Sequence, residues 1–348
     1  MNPTMALGID LGDKTSHACL IDDTGVPVLR DRVRTTPDAM RAFFARFAAA
    51  ANKPTIVMES GTHSRWVSEL IQELGLEVVV ANPAHVRLIY GNKNKTDRFD
   101  AEALARLLRV DVKLLHPVTH RSRQAQADLA LLHTRDAIVR TRKVLINHMR
   151  SVVKASGARL PDADADGFAK RVADLVPAEL RPALLHALSV IESMTAQLKQ
   201  IDRAIERVAA VSYPETKRLT QVPGIGPITS LAFVLCIEDH ARFSDARDVG
   251  AWLGLVPRRD QSGGRDPHLR ITKAGNPFLR RLLVNCAQYI AGPFGPDSTL
   301  RRFAERLGPK GSPRRKRAIV ALARKLSVLL LTLWRTGAQY EPLHGVAA

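Results

Sequence analysis

The sequence predicts an α/β domain followed by a mainly helical remainder, in 348 residues. Three observations predict it. Short apolar runs alternate with turn residues as far as about residue 110, the pattern of strands and crossover helices. From Arg121 onward apolar residues recur in steps of three and four, the pattern of long helices. Charge divides at the same place: residues 1–110 carry 14 Lys/Arg against 13 Asp/Glu, and residues 111–348 carry 38 against 21.

Strand-like runs cover 5–11, 17–21 and 26–33, separated by turn residues at 12–16 and 22–25. Thr36-Pro37-Asp38 starts a helix, with proline in the first turn and an acid near its positive end. Residues 55–58 and 76–80 read as buried strands, and 64–74, 83–90 and 97–108 as helices. The resulting order, β-β-β-α-β-α-β-α, is a three-stranded meander continued by crossover units. Beyond it, Ala127, Leu131, Thr134, Ile138, Thr141, Leu145, His148 and Val152 form one helical seam. Leu184, Ala187, Ile191, Met194, Leu198, Ile201, Ile205 and Val208 form a second. The two predict an antiparallel coiled-coil hairpin turning through the Gly/Pro/Asp-rich stretch 157–167. The expected domains are therefore 1–118, 119–212 and 213–348.

The net charge of +18 is large for one chain and predicts a polyanionic partner. From Arg301 to Lys325 there are ten Lys/Arg and one acid. Cys19, Cys236 and Cys286 are isolated and odd in number, which excludes a disulfide framework and a CxxC-type zinc site. The start MNPTMALGID lacks the basic and apolar regions of a signal peptide. The apolar stretch 319–334 contains Arg324 and Lys325 and falls short of the ~20 residues that span a bilayer. A cytoplasmic, nucleoid-associated protein with no membrane partner is expected.

Four acids carry the chemistry. Asp10 lies in an otherwise apolar run, Ala6-Leu7-Gly8-Ile9-Asp10-Leu11, where a carboxylate is costly unless paired or bound to a metal. Glu59 ends the strand Ile56-Val57-Met58-Glu59. Asp97 and Asp100 stand three apart at a helix start, so both project from one face. First strand, fourth strand and following helix is where an RNase H-like fold gathers its acids. Such acids bind two divalent ions that activate a nucleophile and stabilise the leaving oxygen at a phosphodiester. Mg²⁺ suits an all-oxygen shell of this kind. Each acid also has a plainer role open to it. Asp97 and Asp100 suit any helix N-terminus, Glu59 can pair with Arg65, and GIDLG also resembles the phosphate loop of sugar kinases and actin-like ATPases.

Ser262, in Gln261-Ser262-Gly263-Gly264-Arg265, sits where glycines let the backbone approach a phosphate, with Arg258, Arg259 and Arg265 to hold that phosphate. A serine hydroxyl needs a base or a metal to become nucleophilic, and Ser-Gly-Gly is also an ordinary surface turn. Pro223-Gly224-Ile225-Gly226 is similar to the hairpin of helix-hairpin-helix modules. Arg314, Arg315, Lys316 and Arg317 form a cluster suited to phosphates. Lys93 and Lys95, just before Asp97, are placed to steer a strand towards the acids.

The blocks GIDLGDKTSHACLIDDTG, VMESGTHS, ANPAHVRLIYGNKNKTDRFDAEALARLL, VPGIGPITSLAF, FSDARDVGAWLGLVPRRDQSGG and ITKAGNPFLRRLL together resemble the DEDD transposases of the insertion-sequence 110 family. Piv-type DNA invertases are close relatives of that family. The resemblance runs from about residue 5 to 343. It implies an RNase H/RuvC-like catalytic domain, a coiled coil, and a mainly helical C-terminal domain bearing a serine. Asp10, Glu59, Asp97 and Asp100 would be its tetrad and Ser262 its nucleophile. It further implies Mg²⁺, a covalent phosphoserine intermediate, donor and target DNA, and a guide non-coding (bridge) RNA. Homodimers pairing into tetramers would complete the picture. None of the five motif positions departs from the family pattern. A metal-dependent nuclease of the Holliday-junction-resolvase type, with water as nucleophile, and a Piv-like invertase are the alternative readings.

Overall fold

The computed structural model describes residues 5–83, 85–86, 97–261, 264, 267 and 269–343. The chain divides into two compact units, Met1–His120 and Arg121–Ala348.

The first unit is a five-stranded mixed sheet with helices on both faces. Its elements are β1 (Ala6–Asp10), β2 (Thr15–Ile21), β3 (Pro27–Arg34), α1 (Pro37–Ala48), β4 (Thr55–Glu59), α2 (Ser64–Glu73), β5 (Val78–Ala81) and α3 (Asp97–Val110). The strand order is β3-β2-β1-β4-β5. The first three strands are antiparallel, while β4 and β5 continue the sheet in parallel with β1. This is the meander-plus-crossover order the sequence predicts. The helix expected over 83–90 lies largely outside the described residues.

Side-chain alternation sorts the sheet into two faces. Leu7, Ile9, Ile56 and Met58 pack with Phe43, Phe44, Val67 and Ile71 from α1 and α2. Ala6, Cys19, Ile21 and Val57 pack with Ala101, Leu104, Ala105 and Leu108 from α3. Helix α3 lies so close to β1 that a Cβ on Gly8 would stand 1.9 Å from the Ala101 carbonyl oxygen and 2.9 Å from the Ala105 nitrogen. At its C-terminal end, Arg106 donates to Gly25 O at 3.4 Å and Arg109 to Asp23 O at 2.5 Å. Those acceptors belong to the β2–β3 turn, and Ile21 at that end of β2 pairs with Ala6. Helix α3 therefore runs antiparallel to β1, and its N-terminus lies at the Asp10 end of the strand.

An ion-pair network fastens α3 to the sheet. Arg30 of β3 reaches Glu102 at 2.7 Å, and Arg106 reaches the other Glu102 oxygen at 2.8 Å. The Glu102 carboxylate is only 17% exposed, and these hydrogen bonds hold it below the usual carboxylate range. The stabilisation is present above the unfolded value of 4.5 and is lost as pH falls through the lower folded value. Glu102→Gln should cost about 1 kcal/mol at neutral pH, and its deficit against the parent should shrink below about pH 4. Urea unfolding of both proteins at several pH values measures this; a deficit independent of pH would refute it.

In the second unit, α4 (Arg123–Ala155) and α6 (Arg181–Ser212) are the two long helices, with short α5 (Phe168–Val172) between them. They are antiparallel. Leu129 and Leu132 share a cluster with Ile205 and Ala209, Arg135 pairs with Asp202, and Met149 and Val153 pack with Leu184 and Leu188. The α4 seam differs from expectation by one residue. Leu132, Arg142, Ile146, Met149 and Val153 are buried, whereas Thr134, Thr141 and His148 are exposed. Rotation by one residue removes those polar groups from the seam and brings in one cation, Arg142. Its guanidinium is satisfied by Asp166 at 2.7 Å and Thr195 Oγ1 at 2.9 Å. On α6 the expected Leu184, Ile191, Leu198 and Ile205 are buried, with Leu188, Thr195 and Ala209 in place of Ala187, Met194 and Val208.

The bases of α4 and α6 share one core with the C-terminal helices. These are α7 (Thr216–Leu219), α8 (Pro227–Ile237), α9 (Asp248–Trp252), α10 (Pro277–Ala291), α11 (Thr299–Leu307) and α12 (Arg315–Thr336). Among the described residues, no helix is long and apolar enough to cross a membrane.

Candidate active site and nucleic-acid contacts

Strand register sets two of the acids side by side. In the parallel β1–β4 ladder Ile9 pairs with Met58, so Asp10 and Glu59 are the next pair along. Their Cα atoms lie about 5 Å apart, the spacing of neighbouring strands. Both alternate with the residues that pack on α3, Asp10 with Gly8 and Ala6, Glu59 with Val57. Both therefore face α3, and both are half-buried. The N-terminus of α3 arrives at this end of β1 bearing Asp97 and Asp100. In sequence these stand four residues before Ala101 and Leu104, the first residues of α3 to pack on the sheet. Asp100 is half-buried; the Asp97 side chain lies outside the described residues.

A donor set of carboxylates at adjoining strand ends and a helix start fits a hard divalent cation such as Mg²⁺. Among the described residues, no group of three or more His, Cys, Asp and Glu side chains surrounds a common point. The donor types, and the shared face of Asp10 and Glu59, thus fit the metal, while a closed shell is absent from the described side chains.

The loops after β1 and β4 are joined by groups with no motif in the sequence to mark them. Trp66 Nε1–H donates to His63 Nδ1 at 3.1 Å, which turns His63 Nε2 towards Asp13 Oδ1 at 3.7 Å. Ser64 is buried, and its hydroxyl donates to Gly61 O at 2.8 Å while accepting from Gly61 N at 2.9 Å. His17 is another such residue: it is the cross-strand partner of Asp10 and so shares its face. An isolated histidine in a strand carries no sequence signal; only the register exposes it.

In the second unit, Ser262, Arg265 and Gly263 lie outside the described residues, as do Lys93 and Lys95 of the first. The stem of the Ser262 loop is described. Pro257 and Ile271 form an antiparallel bridge, with Arg258 N–H donating to Arg270 O at 2.9 Å and Thr272 N–H to Val256 O at 2.9 Å. Gly275, at φ +69°, closes the base: a Cβ there would meet Trp252 O at 1.9 Å. Asn276 then caps α10, accepting from Phe278 N at 2.9 Å and Leu279 N at 3.1 Å. Arg280 ties both sides of the stem, donating to Leu253 O at 2.8 Å and Ala274 O at 2.7 Å. Ile271-Thr272-Lys273-Ala274-Gly275-Asn276 is therefore the foundation on which the serine loop stands. Arg258 and Arg259 are exposed at the top of the stem.

The 314–317 cluster separates into two kinds of residue. Arg315 is half-buried and its guanidinium donates to Gly308 O at 3.0 Å and to Ala291 O. Arg314, Lys316 and Arg317 are exposed. Pro223–Gly226 forms the turn into α8, and Gly224, at φ +88°, packs under Tyr289 and Ile290 of α10.

Residues 7–156 match a family model described as transposase of the DEDD IS110 type, and residues 216–305 match one described as transposase of the IS116/IS110/IS902 family. The transposase for insertion sequence element IS1328 of Yersinia enterocolitica is 33% identical over 288 residues, covering 81% of this chain and 82% of the relative. The chain belongs to the IS110 family of transposases. The transposase for insertion sequence element IS1111A of Coxiella burnetii is 28% identical to this IS110-family transposase over 96% of this chain and 90% of the relative. Among solved structures, RuvC of T. thermophilus in complex with a Holliday junction substrate matches 33% of the chain with 99% of its own length. That match has 14% identity and a TM-score of 0.26. The two family models together take in all four acids, Ser262 and the loop stem.

Proposed function

We propose that this IS110-family transposase cuts and rejoins DNA at the ends of an insertion sequence through a serine–DNA ester. Asp10, Glu59, Asp97 and Asp100 hold Mg²⁺, and Ser262 is the nucleophile. The observation that supports this most is the register of β1 and β4, which sets Asp10 and Glu59 side by side at the strand ends nearest the N-terminus of α3. Bound Mg²⁺ supplies charge neutralisation at the phosphate and at the departing oxygen. The Ser262 oxygen attacks phosphorus and gives up its proton. One phosphorus–oxygen bond to the DNA breaks, and the freed DNA oxygen takes a proton. One phosphoester replaces another, so a second DNA hydroxyl can reverse the step and join a new strand without an external energy source. The hydrogen-bonded stem of the Ser262 loop serves the positioning such a step needs.

A guide RNA from the element selects donor and target DNA by base pairing in this reading. The protein then has to hold backbones and shape rather than read base edges. Composition agrees, with 5% aromatic residues and a surplus of cations. Pairing of dimers into tetramers completes the reading. Arg258, Arg259 and Arg265 flank the attacked phosphate, Lys93 and Lys95 lead a strand towards the acids, and Arg314, Lys316 and Arg317 bind backbone phosphates elsewhere. Replacing those last three with Gln should make the salt dependence of duplex binding shallower by about two to three in log–log slope. Arg315→Gln should instead lower stability, because its bonds go to main-chain carbonyls. A slope unchanged in the triple variant would return the cluster to a solvated helix start.

The direct test of function is recombination between plasmid-borne element ends in the presence of the guide RNA. Asp97→Ala and Ser262→Ala should each abolish it. Normal recombination by the Ser262 variant would leave a water-using nuclease as the better reading.

A further inference from the structure

The face that carries Asp10 continues across β2 to the edge of the sheet, and what it presents there is cationic. Asp10 pairs with His17, and His17 pairs with Arg32 of β3. Cross-strand partners share a face, so Arg32, His17, Asp10 and Glu59 form one row across four strands. Thr15 pairs with Arg34 and Cys19 with Arg30, placing three arginines on this side of the edge strand. They differ in what they meet. Arg30 is taken up by Glu102 under α3. Arg32 and Arg34 are exposed and make no ion pair with any described residue. Asp31, between Arg30 and Arg32 in sequence, points to the other face and pairs with Arg46 at 3.1 Å. Lys14, in the β1–β2 turn at the same end, adds a third exposed cation, its carbonyl accepting from Thr35 N at 3.0 Å. The opposite face of β3 carries Leu29 and Val33 into the core.

We propose that Arg32 and Arg34 form a backbone track for the DNA strand being cut, binding phosphates beside the one held at the acids. This rests on the reading of Asp10 and Glu59 as the metal site. Two strand spacings put the Arg32 Cα about 10 Å from that of Asp10. A strand whose scissile phosphate lies over Asp10 can therefore run along the row and set its neighbouring phosphates against the two guanidiniums. Arginine suits the role because its fork binds phosphate oxygens in pairs. The rival explanation is protection of an exposed sheet edge, which needs charge but no ligand.

Binding of the full-length chain to a labelled single-stranded DNA, and to RNA of the same sequence, over about 50–200 mM salt separates the two. Arg32→Gln/Arg34→Gln should flatten the DNA slope by about 1.4, two phosphate contacts' worth for a single strand. Arg32→Lys/Arg34→Lys should restore the slope, and a parental urea midpoint in the Gln variant shows that it is folded. An unchanged DNA slope in the Gln variant, with the parent still binding, overturns the track and leaves the acid site untouched. A slope that flattens for RNA alone overturns the assignment to the cut strand. Failure of the parent to bind DNA at all would overturn both this inference and the proposed function.

Discussion

Replacing Gly8 by alanine is expected to unfold or loosen the first unit and to abolish recombination, although the residue carries no chemistry. The added carbon would stand 1.9 Å from the Ala101 carbonyl oxygen. Neither partner can yield locally, because one is strand backbone and the other is helix backbone. Helix α3 must move outward, away from its packing on Ala6, Val57 and Ile21. Overpacking a fitted core costs about 1–3 kcal/mol, and a clash between backbones belongs at or above the top of that range. Where the variant still folds, the shift carries Asp97 and Asp100 away from Asp10 and Glu59, and a misplacement of about 1 Å can cost a hundredfold in rate. Gly61→Ala is the stability control, since its added carbon meets nothing within 4 Å. A Gly8→Ala protein with parental urea midpoint and parental recombination would show that the α3–β1 contact does not set the site.

The second large effect is expected at the acids themselves. Asp10→Asn and Glu59→Gln keep side-chain size and remove the charge that would hold Mg²⁺. Each should lower strand cleavage by roughly a thousandfold or more, the scale of losing charge stabilisation at a reacting phosphate. Each carboxylate also has an interaction within the fold, so a modest loss of stability should accompany the loss of charge. The response to Mg²⁺ separates a metal site from a structural ion pair, whose loss lowers stability equally with and without the metal. Urea midpoints measured with and without Mg²⁺ read it: the parent should gain stability with the metal and the variants should gain less.

The sequence makes the sheet and the acids readable for a physical reason. A carboxylate in an apolar strand such as Ala6–Asp10 is expensive and so stands out, and turn residues mark strand ends locally. What depends on distant packing does not stand out. The α4 seam sits one residue away from the predicted one because Arg142 belongs to it, and its neutralisation by Asp166 and Thr195 comes from elsewhere in the chain. Arg315 reads as one cation among four until its carbonyl partners on Gly308 and Ala291 are placed beside it. Arg32 and Arg34 look like the solvent face of any amphipathic strand; only the ladder shows that this face is also the face of Asp10. Gly8 reads as part of the GIDLG turn, whereas its role is to admit α3.

In the proposed mechanism a DNA phosphate passes through Ser262 while the four acids hold Mg²⁺. Trapping tests it most directly: the full-length protein, guide RNA and end-labelled DNA are incubated with Mg²⁺, denatured, digested and searched for nucleotide-bearing peptide. The expected result is an adduct that survives denaturation, maps to Ser262, and disappears in both Ser262→Ala and Asp10→Asn. Strand cleavage with no adduct, or an adduct that persists in Ser262→Ala, would contradict it.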